Sequence, residues 1–158
     1  MTPGTEAFFG EVRAAFAEVA ERLGLDGPGA GEPDRHLAVA TYTGSGVTYQ
    51  VVLGLWQGDI EIHACRETAS TVCKVGIEGL ALAAGVVDRR RGVSFGARSL
   101  RQLRRSLTGQ IRYVELVHPL VSGAPDPALA LMRAAGAREW HRPADTPQGP
   151  VSRAETGP

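Results

Sequence analysis

No run of 18 apolar residues occurs in the sequence, so no segment reads as a membrane-spanning helix. The first residues, Met1 to Arg13, lack a basic stretch ahead of an apolar one and do not read as a secretory signal. There are only two cysteines, Cys65 and Cys73, too few for a disulfide framework or a four-cysteine zinc site. Seventeen basic residues balance seventeen acidic ones, and zero formal charge argues against a chain wholly given to nucleic acid. Lysine is nearly missing: Lys74 is the one lysine among those bases, an imbalance that a GC-rich coding sequence accounts for without a functional reason. The phosphate-binding G-x-x-x-x-G-K-[ST], the nucleophile elbow G-x-S-x-G, and the metal or redox signatures H-E-x-x-H and C-x-x-C are all absent. These absences leave a cytoplasmic protein as the expectation.

What is present suffices for one domain. A chain of 158 residues, 43% of them apolar, buries roughly 70% of the surface its unfolded form exposes. The centre of the pattern is Val47 to Arg66, two runs rich in β-branched and aromatic residues broken at Gln57-Gly58-Asp59, which predicts a β-hairpin. In the first arm Val47, Tyr49, Val51, Leu53 and Leu55 share one face. Val52 and Trp56 are apolar on the other, so this arm is expected to be covered on both sides. His36 to Thr43 precedes it as a further strand, joined by Gly44-Ser45-Gly46, so strands over 36–43, 47–56 and 60–66 form a meander.

Helices flank that sheet. Phe9, Val12, Phe16, Val19 and Leu23 recur at helical steps and predict a helix over 5–23, with Thr5 as N-cap and Gly24 as C-cap. Gly27 to Pro33 reads as a flexible loop. The segment 71–87 fits strand or helix, with a short helix over 77–84 favoured by its helix-forming residues. Val93 to Ala97 offers a short fourth strand. Ser99 with Gln102 fits a capping box opening a helix over 99–118 that Pro119 stops. A last helix has Asp126 as cap and Pro127 at its first position, and ends at Gly136. The expected architecture is α+β: an N-terminal helix, a three- to four-stranded antiparallel meander, and two or three C-terminal helices packed on one face. The domain is expected to span 1–141, with a disordered tail over 142–158. Phe16, Leu53, Ile62, Leu103 and Leu107 are expected to meet in the core.

Three constellations carry candidate chemistry. Glu61, His63 and Cys65 alternate along one strand and so share a face, about 6.5–7 Å apart. A carboxylate, an imidazole and a thiol in that order suit proton transfer or metal binding, with Cys73 or His36 as a conceivable further ligand. The simpler reading, and the one preferred, is a solvent-facing strand, with no metal and no cofactor. Cys65 and Cys73 either pair or remain free thiols, and Lys74 beside Cys73 favours a thiolate slightly. Arg101, Arg105 and Arg112 fall on one side of the long helix with Arg98 at its start, within a stretch, 89–112, that holds eight arginines and no acid. Residues 1–34 hold seven acids. Such a segregation of charge suits steering toward a protein partner, so Arg98, Arg101, Arg105 and Arg112 are the candidate partner-binding residues. A nucleic-acid partner ranks below a protein because no helix-turn-helix, zinc finger or aromatic-interleaved basic run accompanies them. A membrane partner is not expected, and a homodimer is compatible with the pattern.

The run from Ser99 through His118-Pro119-Leu120-Val121-Ser122-Gly123 to Met132, a helix, a Pro-Leu-Val-small-Gly break and a closing helix, accompanies an N-terminal helix and a hairpin containing Val47-Thr48-Tyr49. As an order of elements this resembles small bacterial α+β domains, some of which neutralise toxins as immunity proteins. The resemblance implies a non-catalytic protein-binding role and assigns no residue. Two alternatives stand beside that immunity- or adaptor-like reading. One is a small enzyme or small-molecule-binding protein with a pocket between sheet and helices built on Glu61, His63, Cys65 and a tyrosine. The other is nucleic-acid binding through residues 98–112.

Overall fold

A computed structural model describes residues 3–32, 34–88 and 93–142. Of the tail expected to be disordered over 142–158, residues 143–158 lie outside the described residues, as does the arginine triplet 89–91, while Arg142 donates its backbone N–H to the Ser70 carbonyl at 2.8 Å. The fold is α+β: an N-terminal helix, an antiparallel sheet and C-terminal helices. The elements are α1 (Thr5–Leu23), β1 (Asp26–Ala30), β2 (Leu37–Gly44), β3 (Val47–Gly54), β4 (Asp59–Glu67), β5 (Thr71–Gly76), α2 (Ile77–Ala83), α3 (Leu100–Val121), α4 (Pro125–Ala134) and β6 (Arg138–His141). The six strands pair in chain order, every pair antiparallel.

The sheet is larger than the three or four strands expected, and each addition has a local cause. Asp26-Gly27-Pro28-Gly29-Ala30 looks like loop by composition, yet it forms the edge strand β1 with an irregular register against β2, an edge being where proline and bulges are tolerated. β5 occupies the first part of the ambiguous 71–87 segment, and the expected short helix follows as α2. β6 is only four residues, fully exposed, with too little periodicity to announce a strand. Val93–Ala97 contributes an isolated bridge, Asp59 to Gly96, rather than a strand.

Helix boundaries also shift. The N-cap of α1 is Gly4, not Thr5, while Gly24 closes the helix in the left-handed conformation as expected (φ 68°). Ser99 caps α3 by accepting from the Gln102 N–H at 3.1 Å, and Gln102 Oε1 accepts from the Arg98 N–H at 2.8 Å. Pro119 does not stop α3. It sits in the last turn, and the helix runs to Val121. α4 starts at Pro125 after Ala124, two residues earlier than a cap at Asp126 implied.

Among the described residues α1 to α4 lie on one face of the sheet. α3 crosses its middle, with α1 over β1 and β2 and with α2 and α4 toward β5. Phe16, Leu53, Ile62, Leu103 and Leu107 are buried in one cluster, as their stripes required. Phe16 stacks on Tyr42, ring centroids 4.3 Å apart. The sequence stripe of α1 is rotated slightly: Phe8 is fully buried and Phe9 only packs against the core edge.

β4 outruns its neighbour. β5 pairs with it only from His63 onward, so Ile60 and Ile62 would have free backbone groups on that side. The chain fills the gap otherwise. The Ile60 N–H donates to the Phe95 carbonyl at 2.7 Å. Buried Gln110 of α3 accepts from the Ile62 N–H at 2.8 Å and donates to the Ile60 and Ser94 carbonyls at 3.0 and 3.1 Å. At the other end of α3, the buried Arg66 guanidinium donates to the Val121 and Gly123 carbonyls at 2.9 and 3.0 Å, a cation at the negative end of the helix.

Candidate functional site

Strand alternation puts the buried apolar row of β2 to β5 under the helices and leaves a second sheet face with no helix on it among the described residues. Leu37, Val39, Thr41 and Thr43 of β2 stand on it beside Thr48, Gln50 and Val52 of β3. Glu61, His63 and Cys65 of β4 follow, then Val72 and Lys74 of β5, then Arg138 and Trp140 of β6. The expectation that β3 is covered on both sides is therefore corrected: Val52 is half-buried by its strand neighbours alone, and Trp56 is 70% exposed beyond the strand end. Leu37 and Trp140, at opposite corners of the face, are 39% and 45% exposed.

Glu61, His63 and Cys65 do share this face, as alternation demands, but they differ in exposure. The Glu61 side chain is 45% exposed and that of His63 20%, with Glu61 Oε1 3.4 Å from His63 Nε2. Gly76 across from His63 makes room, since a Cβ there would meet Glu61 Oε2 at 2.6 Å. Burial, reinforced by the cations of Lys74 and Arg138, pushes the His63 pKa down to about 4, so the ring is neutral at pH 7. Burial raises the Glu61 carboxyl, and the charges of Asp59 and Glu78 add to it while Lys74 opposes. Cys65 is buried, and desolvation pushes its thiol up to about 11. A protonated thiol and a weakly basic imidazole make a poor nucleophile and base.

Among the described residues no three His, Cys, Asp or Glu side chains converge as metal ligands. Cys73 cannot complete such a set or pair with Cys65. It opposes Arg66, one step out of phase with Cys65, and lies fully buried on the helix side. His36 sits beyond the start of β2 near Trp56, ring centroids 6.2 Å apart. The tyrosines are core groups: Tyr42 lies on Phe16, and the buried Tyr49 hydroxyl is 2.8 Å from His118 Nδ1.

Arg98, Arg101, Arg105 and Arg112 are exposed. Charge is not segregated in space, however, because acids and bases of both α1 and α3 pair across the two helices. Glu11 takes a two-pronged bond from Arg104, both contacts 2.9 Å, and Glu115 of α3 pairs with Arg22 of α1. Arg112 lines a cavity of about 430 Å³ with Val86, Val87, Asp88, Val93 and Tyr113, away from Glu61 and His63. Beside Glu61 and His63 there is a shallower recess of about 240 Å³, walled by Leu37, Val52, Gln57 and Asp59.

Sequence reasoning missed Val72, Lys74, Arg138 and Trp140 as members of the polar strand's face. Alternation within 71–76 was the available signal for β5. For β6 the four-residue segment carries no signal of its own. Comparison of the chain with protein-family models, with curated proteins and with solved structures found no match.

Proposed function

We propose that this is a non-catalytic, partner-binding domain of the adaptor or immunity kind, and that its partner is a protein seated on the sheet face that no described helix covers. The observation that carries the reading is the make-up of that face. From β2 through β3 it is uncharged, with Leu37, Val39, Thr41, Thr43, Thr48, Gln50 and Val52 exposed in part or in full. Trp140 stands at its far corner. An uncharged stretch of β-branched side chains with a tryptophan at the far corner suits a protein interface, where aromatic residues are enriched and charges are depleted at the centre. The recess at Glu61 and His63 is smaller than the roughly 300–1,000 Å³ of small-molecule sites, which ranks an enzyme on Glu61, His63 and Cys65 second. Binding through Arg98, Arg101, Arg105 and Arg112, to a protein or to a nucleic acid, ranks third.

The test uses the full chain as bait in extract of its native cells. Capture of one protein in stoichiometric amount is expected, lost on Val52→Arg and Thr41→Arg, both of which sit on the half-exposed face. Capture that survives these variants, but vanishes on Arg101→Glu with Arg105→Glu or after nuclease treatment, would transfer the function to the arginine stripe.

A further inference from the structure

We propose that the uncovered sheet face is the interface of a two-fold homodimer, in which the Asp59–Glu61 end of one copy meets the Lys74–Arg138 end of the other. This rests on the reading of that face as a protein-binding surface and names the partner as a second copy of the chain.

A face that pairs with itself must be self-complementary, each residue opposite its mirror position across the symmetry axis. The strand register allows this to be checked with His63 as centre. Leu37 lies two strands to one side of His63 and level with Asp59, four residues back along β4. Trp140 lies two strands to the other side and level with Glu67, four residues forward. Counted along the ladder, with strands about 4.8 Å apart and about 3.3 Å per residue, the two stand an equal number of strands and residues to either side of His63. An axis lying in the interface, through His63 and across that diagonal, places Leu37 of each copy on Trp140 of the other. Within the paired strands of the face these two large apolar side chains are more than a third exposed, and Trp56, 70% exposed, stands past the end of β3 near Leu37.

The same operation brings Val39 near Val72, and sets Asp59 and Glu61 within side-chain reach of Arg138 and Lys74 of the other copy. The charges of the face are sorted to suit. Asp59 and Glu61 occupy one end of β4, and Lys74 and Arg138 stand together in the row of Cys65. Glu67, the acid at the basic end, already faces Arg142 at 3.4 Å. Near the axis lie Gln50, Thr48 and the neutral His63, and the charged residue closest to it is Asp26, opposite Thr43 on the edge strand β1 and exposed at the rim. Area also suffices. Six strands with a length of eight residues at the centre span roughly 29 by 26 Å, or roughly 600–700 Å² per copy once the shorter edge strands are allowed for. A specific interface buries about 800 Å² per partner and must exceed about 1,000 Å² in total.

Sedimentation equilibrium of the purified full chain is expected to give twice the 16.7 kDa of one copy. Glu61→Arg alone, and Lys74→Glu with Arg138→Glu, should each weaken the dimer about tenfold or more by setting like charges together. Mixing these two variants should restore a mixed dimer, because each then supplies the charge the other needs. Trp140→Ala should weaken association without a charge effect. Unchanged circular dichroism would show that these surface variants fold. A monomer at high micromolar concentration overturns the proposal, and so does a dimer indifferent to all four changes. If the chain is monomeric while Val52→Arg still abolishes capture from extract, the homodimer fails and the partner-binding reading stands. If neither assay responds to the face, both fail.

Discussion

Replacing Gln110 by leucine isolates the device that closes the bare edge of β4. The two side chains have nearly the same volume, so no cavity opens and the effect is polar. The substitution strips the Ile62 N–H of its acceptor and the Ile60 and Ser94 carbonyls of their donor. Gln110 is completely buried, so water cannot step in without moving α3 off the sheet. An orphaned buried N–H costs about 1–3 kcal/mol, and an orphaned carbonyl, with its second lone pair, somewhat less. The expected loss is about 3–5 kcal/mol, against the roughly 5–15 kcal/mol stability of a typical domain. Urea denaturation followed by circular dichroism reads it directly, and hydrogen exchange at the Ile62 amide should accelerate in step. Gln110→Glu adds a check of sign. The carboxylate keeps the acceptor for Ile62 but faces two carbonyl oxygens, so its folded-state pKa is raised above the unfolded one. Its proton is then held better by the folded state, and this variant should gain stability as pH falls through that raised pKa. A loss under about 1 kcal/mol for Gln110→Leu, with exchange at Ile62 unchanged, would refute the claim that this side chain does the work of a missing strand.

Three further outcomes are expected. Leu103→Ala, in the fully buried middle of the helix–sheet contact, should cost about 2–5 kcal/mol in denaturant, and a cost below 1 would mean that α3 does not seal the sheet. His63 has a folded pKa of about 4 against 6.5 unfolded, so the unfolded chain takes up its proton first; stability should fall between those values by at most about 1.4 kcal/mol per pH unit, with Glu61, raised, opposing. His63→Gln should flatten that part of a pH titration of unfolding. Cys65 and Cys73 are both buried on opposite faces, so a thiol reagent should find two equivalents after denaturation and react slowly with the folded protein; one fast equivalent at neutral pH would contradict the raised thiol pKa values.

Periodicity made much of the fold legible in advance. The step of two in Val47–Gly54 and Asp59–Glu67 announced a hairpin and assigned Ile60, Ile62 and Ala64 to the core side, and the three- and four-residue steps of α1 and α3 announced the helices above it. Period two also required Glu61, His63 and Cys65 to share a face. These are local consequences of backbone geometry, so a sequence contains them in full. What local geometry does not contain was decided by the tertiary structure. β1 and β6 are strands because a neighbouring edge supplies their hydrogen bonds; neither a Gly-Pro-Gly stretch nor four exposed residues would hold an extended ladder alone. Gln110 looks like one more polar residue on a helix until β5 departs at Gly76 and leaves β4 in need of it. Arg66 looks like a surface charge until the end of α3 arrives over it. The sequence fixes which side chains face the same way. Only the assembled sheet, by bringing β6 beside β5, puts Trp140 and Arg138 on the same surface as Leu37 and Glu61, because strand order depends on pairing between segments far apart in the chain.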